Sequence, residues 1–316
     1  MSLIKLNNNG VKNITSVGSV GTGDLKFISS SLPNITYTVT VADSGGNKYF
    51  IDGVAQDTLS LYRGGTYTFD QSHSSNSGHP LRLSSTSNGT HGGGSEFTTG
   101  VTTTGTAGSA GAKTVITVPQ DAPTLYYYCT NHSGMGGTAN ISGVSNISFT
   151  SGIDSTYKEY VFYFVNMHPS SGGNNFTFQA DTGTNTNYNQ TITSTSFRAF
   201  QVEDASVNSF GYRTGEDLAQ STSFQQLQMS LGNDNDQSAI GILQVFNPSS
   251  SVFVKHFLAT TQTSRYNVGG TANGTGSTYN SYIAGYFNTQ TPLTRFQFKM
   301  SSGNIDSGEI LLYGVN

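Results

Sequence analysis

The residues with the most distinctive chemistry lie in one short stretch, residues 126–137, which reads YYYCTNHSGMGG. Cys129 is the only cysteine in the 316-residue chain, and His132 and Met135 follow it by three and six positions. A thiolate, an imidazole and a thioether on one loop form a set of ligands suited to copper. The tyrosines that precede Cys129 favour a strand, so these ligands are expected just beyond its end. The spacing therefore predicts most of a copper site.

A second imidazole is needed from elsewhere in the chain. Four of the six histidines, His73, His79, His91 and His132, lie within residues 35–143. We favour His79 because it directly precedes a short predicted strand, PLRL, whereas His91 lies in a glycine-rich segment typical of a flexible loop. His73 and His91 stay open as alternatives for this ligand.

A simpler interpretation of the same residues competes with a metal site. Cysteine is commonly buried as a small apolar residue, and a glycine-rich loop with one histidine and one methionine is unremarkable alone. Under that interpretation the chain no longer binds copper, and only the β-sandwich that would hold the ligands remains. In favour of copper, all four candidate ligands occur together within one unit of the chain, on segments expected to be loops.

The composition predicts an all-β protein with two domains. Charged residues make up only 10% of the chain, against about 25% in an average domain, while Gly, Ser, Thr, Asn, Tyr and Phe are abundant. That mixture suits strands joined by polar turns. A net charge of −4 with scattered cationic residues gives no basic surface for nucleic acid, and no apolar run has membrane-spanning length. The first residues lack the long apolar stretch of a secretory signal, so we expect synthesis in a cytosol.

The chain divides into three parts. Residues 1–34 are too short and polar to fold alone, and we expect them to add a strand to the C-terminal domain or to contact a neighbouring subunit. Residues 35–143 contain about seven short strands, including an alternating segment at 35–41 and a hairpin turn at Asp52 and Gly53, which predicts a small β-sandwich. Residues 144–316 contain eight or nine strands, which predicts a larger jelly-roll-like β-sandwich.

The ligand loop and the upstream histidine together resemble the cupredoxins, and the Cys-x2-His-x2-Met spacing is most similar to that of the amicyanins. The resemblance implies a Greek-key sandwich over residues 35–143, with one histidine after the middle strands and the other ligands between the last two. It also implies that His79, Cys129 and His132 form a trigonal plane around copper and that Met135 is the axial ligand.

A second resemblance covers most of the chain outside residues 35–143. Residues 155–162 (STYKEYVF), 166–169 (NMHP) and 302–315 (SGNIDSGEILLYGV), with the opening residues 4–11 (IKLNNNGV), resemble a module of tail and fibre-type structural proteins of marine bacteriophages, of the cyanophage and pelagiphage kind. The cupredoxin-like unit is then an insertion after the first strand of this module.

These resemblances imply a structural virion protein, such as a tail, fibre, spike or capsid-decorating component, and not an enzyme. We expect it to be made in the host cytoplasm, exposed on the particle, and assembled with other virion proteins as a homo-oligomer, with a trimer favoured. Contact with a host-surface glycan is also expected, without nucleic-acid binding or membrane insertion. Two alternatives are a type 1 copper electron-transfer protein and a carbohydrate-binding adhesin.

Overall fold

The computed structural model of the protein describes residues 24–265 and 276–315, and these residues form an all-β sandwich fold, as the composition predicts. Only two single-turn 3-10 helices, Ser74–Asn76 and Gly89–Gly92, occur within the described ranges. No helix in those ranges is long and apolar enough to cross a bilayer. The strands are, in chain order, β1 (Leu25–Ser30), β2 (Asn34–Asp43), β3 (Asn47–Ile51), β4 (Val54–Ala55), β5 (Leu59–Leu61), β6 (Thr66–Asp70), β7 (Leu81–Ser84), β8 (Val101–Thr104), β9 (Lys113–Thr117), β10 (Leu125–Cys129), β11 (Gly137–Ile141), β12 (Ile147–Phe149), β13 (Glu159–Pro169), β14 (Asn174–Asp181), β15 (Ile192–Val202), β16 (Asn208–Tyr212), β17 (Gln225–Leu231), β18 (Ala239–Phe246), β19 (Lys255–Arg265), β20 (Ser277–Phe287), β21 (Arg295–Met300) and β22 (Ile305–Val315).

The smaller sandwich is built from β2 to β11. A six-stranded sheet, in the order β4-β3-β2-β6-β9-β8, faces a four-stranded sheet, in the order β5-β11-β10-β7. The alternation of the sequence decides which side chains meet between them: on β6, Tyr67 and Phe69 are buried while Thr66 and Thr68 are partly exposed. Most pairs are antiparallel, but β2 pairs with β6 and β5 with β11 in parallel, so the chain crosses between the sheets.

The larger sandwich places a four-stranded sheet, β12-β21-β14-β17, against one face of an eight-stranded sheet, β1-β22-β13-β18-β19-β20-β15-β16. Phenylalanines fill the space between the sheets. The ring of Phe298 lies 5.1 Å from that of Phe162, 5.4 Å from Phe164 and 6.0 Å from Phe176, measured between centroids. Such edge-to-face and offset contacts add to the free energy gained by burying the rings.

The N-terminal segment joins the larger sandwich. Strand β1 pairs antiparallel with β22, with Leu25 opposite Val315, and the Ser30 hydroxyl donates to the Glu309 carboxylate at 2.5 Å. Residues 25–30 are thus a strand of the C-terminal sheet, the first of the two placements expected for the N-terminal part. The remainder of that part, residues 1–23, lies outside the described residues.

The smaller sandwich is inserted between β1 and β12 of the larger one, and polar contacts connect the two. The Tyr62 hydroxyl donates to the carbonyl oxygen of Gly308 at 3.1 Å, and the Arg63 guanidinium contacts the Asp306 carboxylate at 2.8 Å. Val144 forms an isolated antiparallel bridge with Ile305. All of these contacts converge on the beginning of β22.

Candidate metal centre

The register of two strands brings Cys129 close to His79. Strands β10 and β7 are antiparallel neighbours in which Cys129 lies opposite Leu81. Past this pair, the Thr130 amide donates to the Pro80 carbonyl at 3.1 Å, so the pairing continues up to the histidine. The thiol at the end of one strand and the imidazole before the start of the other therefore emerge at the same edge of the sandwich.

Three potential ligands converge at this edge. The Cys129 sulfur lies 3.9 Å from Nδ1 of His79 and 3.7 Å from Nδ1 of His132. The two imidazole rings are 4.6 Å apart between centroids, and one ligand atom from each of the three residues lies within 4.8 Å of the others. Cys129 is fully buried, His79 is half-buried and His132 is exposed, so the group spans the boundary between core and solvent.

These separations fit one ion. Nitrogen ligands at about 2.0 Å and a sulfur at about 2.3 Å from a first-row metal, at angles of about 110–120°, place the sulfur roughly 3.5–3.7 Å from each nitrogen. The distances of 3.7 and 3.9 Å to the Cys129 sulfur lie within a few tenths of an ångström of that range. The same nitrogen, Nδ1, faces the sulfur on both rings. The residues therefore fit a metal without a change of fold.

The backbone of His79 is fixed by several hydrogen bonds. Its carbonyl oxygen accepts from the Tyr49 hydroxyl at 2.7 Å and from the Gln71 side-chain amide at 2.9 Å, and its own amide donates to the Asn76 carbonyl at 2.8 Å. Tyr49, Gln71 and Asn76 are all buried. Partners that hold a ligand in one orientation reduce the cost of gathering the site around a metal.

The loop that follows Cys129 is held by side chains from distant parts of the smaller sandwich. The Asn88 side chain accepts from the Gly134 amide and donates to the Ser133 hydroxyl, both at 2.8 Å. The Lys48 ammonium donates to the Gly134 carbonyl at 2.6 Å, and the Gln56 amide donates to the Gly136 carbonyl at 2.5 Å. The loop is therefore shaped by its surroundings rather than by its own sequence.

Gly136 is required by close packing in this loop. A Cβ atom at this position would lie 1.7 Å from the carbonyl oxygen of Tyr127, far inside van der Waals contact. Gly134, two residues earlier, has φ of +73°, which favours glycine. The loop turns back on its own strand at these two glycines, and Met135 lies between them.

Met135 is buried among the residues of the smaller core, with 1% of its surface exposed. Its carbonyl oxygen accepts a hydrogen bond from the Tyr49 amide at 2.9 Å. Cys129 belongs to the same cluster of buried residues. Met135 thus lies on the core side of the loop and His132 on the solvent side.

The electrostatics of the site favour a neutral imidazole at His79. Burial lowers its pKa below the ordinary range, and the charge of nearby His132 lowers the pKa further. The pKa of the Tyr49 hydroxyl is raised, first by burial and then by the charge of Cys129. A histidine must be neutral at the ligating nitrogen to bind a metal, so the lowered pKa of His79 suits a ligand.

The two alternative histidines lie elsewhere. His73 caps the first 3-10 helix, where its Nδ1 accepts from the Ser75 amide at 3.2 Å. Nε2 of His91 lies 3.0 Å from the backbone carbonyl oxygen of Cys129, not near its sulfur. The structure therefore brings together His79, Cys129 and His132, and it places His91 against the backbone carbonyl of Cys129.

Sequence reasoning missed the residues that support the site. Asn88 adopts a left-handed conformation with φ of +61° and precedes Gly89, and an Asn-Gly pair is a recognisable turn signal. Nothing local, however, connects that turn with a loop more than forty residues later. No sequence pattern around Lys48 or Gln56 indicates a supporting role. Their hydrogen bonds to the loop arise only because β3 and β4 pack beside it.

No protein-family model, curated protein or solved structure matches this chain.

Proposed function

We propose that this protein binds one copper ion through His79, Cys129 and His132, with Met135 as the axial ligand. The observation that carries the proposal is the convergence of one sulfur and two Nδ1 atoms at 3.7 and 3.9 Å, at an edge where the supporting backbone is hydrogen-bonded in place. Two imidazoles, one thiolate and a weak thioether are the ligand set of trigonal copper sites.

Copper is favoured over zinc by the chemistry of the four donors. Structural zinc sites use four thiolate, imidazole or carboxylate ligands in a closed tetrahedron, and no fourth such residue joins the three in the described part of the chain. The remaining residue, Met135, has a soft thioether, which suits copper.

We infer further that the metal-binding sandwich is displayed by a structural component of a bacteriophage particle. The support is the resemblance of residues 155–162, 166–169 and 302–315 to phage tail and fibre-type proteins, together with a low charge and two all-β units. In that setting the ion stabilises an exposed domain, because metal that binds only the folded state adds its binding free energy to folding.

Electron transfer is the second candidate, and the unequal exposure of the ligands favours it. Cys129 is shielded from solvent, whereas His132 is exposed at the surface. Copper supplies a one-electron couple, and an exposed imidazole is a short route from such a centre to a redox partner. This function and the structural one share the same site, and they differ in whether the ion must change oxidation state.

The experiment that tests the site is metal analysis and visible spectroscopy of the purified protein, loaded with Cu²⁺ or Zn²⁺ separately. We expect one copper per chain and an intense thiolate-to-copper absorption band, both lost in Cys129→Ser. The control is His91→Gln, which removes a neighbouring imidazole that is not one of the ligands and should leave the band intact. A colourless protein that retains no copper, or one that retains zinc in preference, would overturn the proposal.

The two candidate roles are separated by a second measurement. Reduction of the loaded protein by ascorbate and reoxidation by an inorganic oxidant test for a reversible couple, while thermal unfolding with and without copper tests for stabilisation. A large copper-dependent rise in the melting temperature with no reversible couple favours the structural role. Mass spectrometry of purified phage particles tests the proposed location.

A further inference from the structure

The eight-stranded sheet has one face turned away from the four-stranded sheet, here called the outer face. Residues opposite each other in neighbouring strands point to the same side, so the strand register identifies its members. One continuous row crosses seven strands. It consists of Leu311, Tyr163, Ile242, Thr260, Tyr282, Phe197 and Tyr212.

The outer face is rich in exposed apolar side chains. Ten of the large apolar residues that are more than a third exposed point outward from it, and the extremes are Phe210 at 69% and Phe27 at 58%. The other eight are Leu25, Val165, Phe197, Tyr212, Ile240, Ile242, Leu258 and Tyr282. A contiguous patch of this kind on a soluble protein marks an interaction site.

No Lys, Arg, Asp or Glu side chain points outward from the part of this face that β18, β19, β20, β15 and β16 form. The five adjacent strands β18, β19, β20, β15 and β16 contain only three cationic residues and no acidic ones. Lys255, Arg198 and Arg265 all lie on the inward-facing register, where Lys255 and Arg198 are buried. The outward carboxylates, Glu159 and Glu309, lie at the other end of the sheet, and each accepts a hydrogen bond from a neighbouring side chain.

The size of the outer face suits a stable protein–protein contact. Eight strands spaced about 4.8 Å apart are roughly 34 Å wide, and about six residues of each strand give a length of about 20 Å. The product, roughly 700 Å², is close to the ~800 Å² that one partner contributes to a standard interface. Covering this face with one partner therefore needs no rearrangement of the sheet.

We propose that the outer face is where copies of this chain associate with one another. The part of the face formed by β18, β19, β20, β15 and β16 carries no outward Lys, Arg, Asp or Glu side chain, so it can meet its own copy without like-charge repulsion. A charged partner would find no complementary groups on that part. The face also carries both projections and hollows. A shallow depression of about 250 Å³, lined by Tyr163, Ile242 and Leu258 and also by Glu159, is large enough to receive an aromatic side chain of the second copy. Two such sheets pack face to face at about 10 Å.

This interface is independent of the proposed copper site, which lies in the other sandwich. The outward residues at its centre, Ile242, Leu258 and Tyr282, are already 37–47% exposed, so replacing them removes little from the core of a single chain. A lysine at either position 242 or 282 would bring a charge into the buried interface, which is costly unless it is paired.

The test is the mass of the full-length protein in solution, measured by sedimentation velocity from low to high micromolar concentration. We expect the wild-type protein to have a mass of two or more times the 33.5 kDa of one chain. The double variant Ile242→Lys/Tyr282→Lys should dissociate to monomer, with a dissociation constant raised at least about 100-fold. The matched control is Phe253→Lys, which places the same charge at a site that is 68% exposed but outside the outer face, and it should remain associated.

Circular dichroism establishes that each variant is folded. Should the lysine variant fail to fold, Ile242→Thr/Tyr282→Thr replaces it, because threonine suits a strand and still removes the apolar contact. A wild-type protein that is monomeric at all concentrations would overturn the proposal, whether its outer face then binds oligosaccharide, binds lipid vesicles or is covered by residues 1–23. Association that persists unchanged in both double variants would also overturn it, by locating the interface elsewhere.

Discussion

The Tyr49 hydroxyl donates a 2.7 Å hydrogen bond to the carbonyl oxygen of His79, across thirty residues of chain. The backbone of Tyr49 also binds the other side of the site, since its amide donates to the Met135 carbonyl. One residue of β3 thus positions both the upstream histidine and the methionine-bearing loop, although it is not itself a ligand.

Tyr49→Phe is therefore expected to weaken copper binding without abolishing it. Loss of the hydroxyl frees the His79 backbone to move, and supporting contacts of this kind are worth about 10- to 100-fold in metal affinity. The measurement is competition with a chelator of known copper affinity. Tyr67→Phe is the control, because its hydroxyl accepts a comparable buried hydrogen bond from the Tyr62 amide away from the ligands. Equal losses in the two variants would indicate a general effect on stability.

Gly136→Ala should disrupt the ligand loop. Its new methyl group would overlap the Tyr127 carbonyl oxygen, so the loop must shift, at a cost on the order of 3 kcal/mol in the free energy of unfolding. We expect lost copper binding and a lower midpoint in chemical denaturation. Gly215→Ala, where the methyl group meets open space, should change neither. Normal copper binding by Gly136→Ala would mean that the loop is less tightly packed than its contacts indicate.

Lys255 should make stability depend on pH in the alkaline range. Its buried ammonium donates to the carbonyl oxygens of Phe253 and Thr289, each at 3.0 Å, and burial lowers its pKa. The folded protein therefore loses this proton at a lower pH than the unfolded chain. The resulting penalty on the folded state is fully present below the folded-state pKa and is relieved as the pH rises towards the ordinary lysine value of about 10.4.

The corresponding experiment compares wild type with Lys255→Met by chemical denaturation at several pH values. Wild type should gain stability relative to the variant as the pH rises towards the ordinary lysine pKa of about 10.4, by at most about 1.4 kcal/mol per pH unit. If the free energies of unfolding of wild type and Lys255→Met differ by the same amount at every pH, the lysine proton is not linked to folding.

The ion pair between Arg63 and Asp306 should couple the two sandwiches energetically. Both side chains are largely shielded, and their atoms are 2.8 Å apart. A double-mutant cycle of Arg63→Met and Asp306→Asn is expected to give a coupling of about 1–2 kcal/mol, because partial burial strengthens the pair. The comparison is the more exposed pair of Arg82 and Glu96, 3.2 Å apart within the smaller sandwich, for which about 0.5 kcal/mol is expected. A coupling energy for Arg63 and Asp306 no larger than that of the Arg82 and Glu96 pair would show that the contact does not couple the two sandwiches.

Turn residues and alternating apolar residues correctly predicted the turn and strands in which they lie. The turn expected at Asp52 and Gly53 is present, with φ of +47° and +88°, as a two-residue hairpin turn requires. The alternating segments became strands, and the all-β class is confirmed. Strand β8 is harder to predict, because it is mostly a run of exposed threonines between glycine-rich segments, and so is β16, whose residues alternate only weakly between apolar and polar.

The candidate site was predictable to the extent that its proposed ligands are close in sequence. Cys129 and His132 are three residues apart, so their proximity follows from the loop alone, while the choice of His79 depended on expecting a strand directly after it. The contacts from Lys48, Gln56 and Asn88 depend on packing between segments forty to ninety residues apart, which no local pattern reports. The geometry of the site therefore required the three-dimensional structure.

The pairing of β1 with β22 has a consequence for synthesis. Leu25 and Val315 are neighbours in the sheet but lie at opposite ends of the chain, so this pairing has one of the longest loop closures that the protein can make. The smaller sandwich is contiguous in sequence and can fold as soon as it leaves the ribosome, whereas β1 must wait unpaired until the chain has been synthesised through residue 315. Such a long-range pairing is expected to form late, and a truncated chain that lacks β22 leaves β1 without a partner and one edge of β13 exposed, while β13 keeps its pairing with β18.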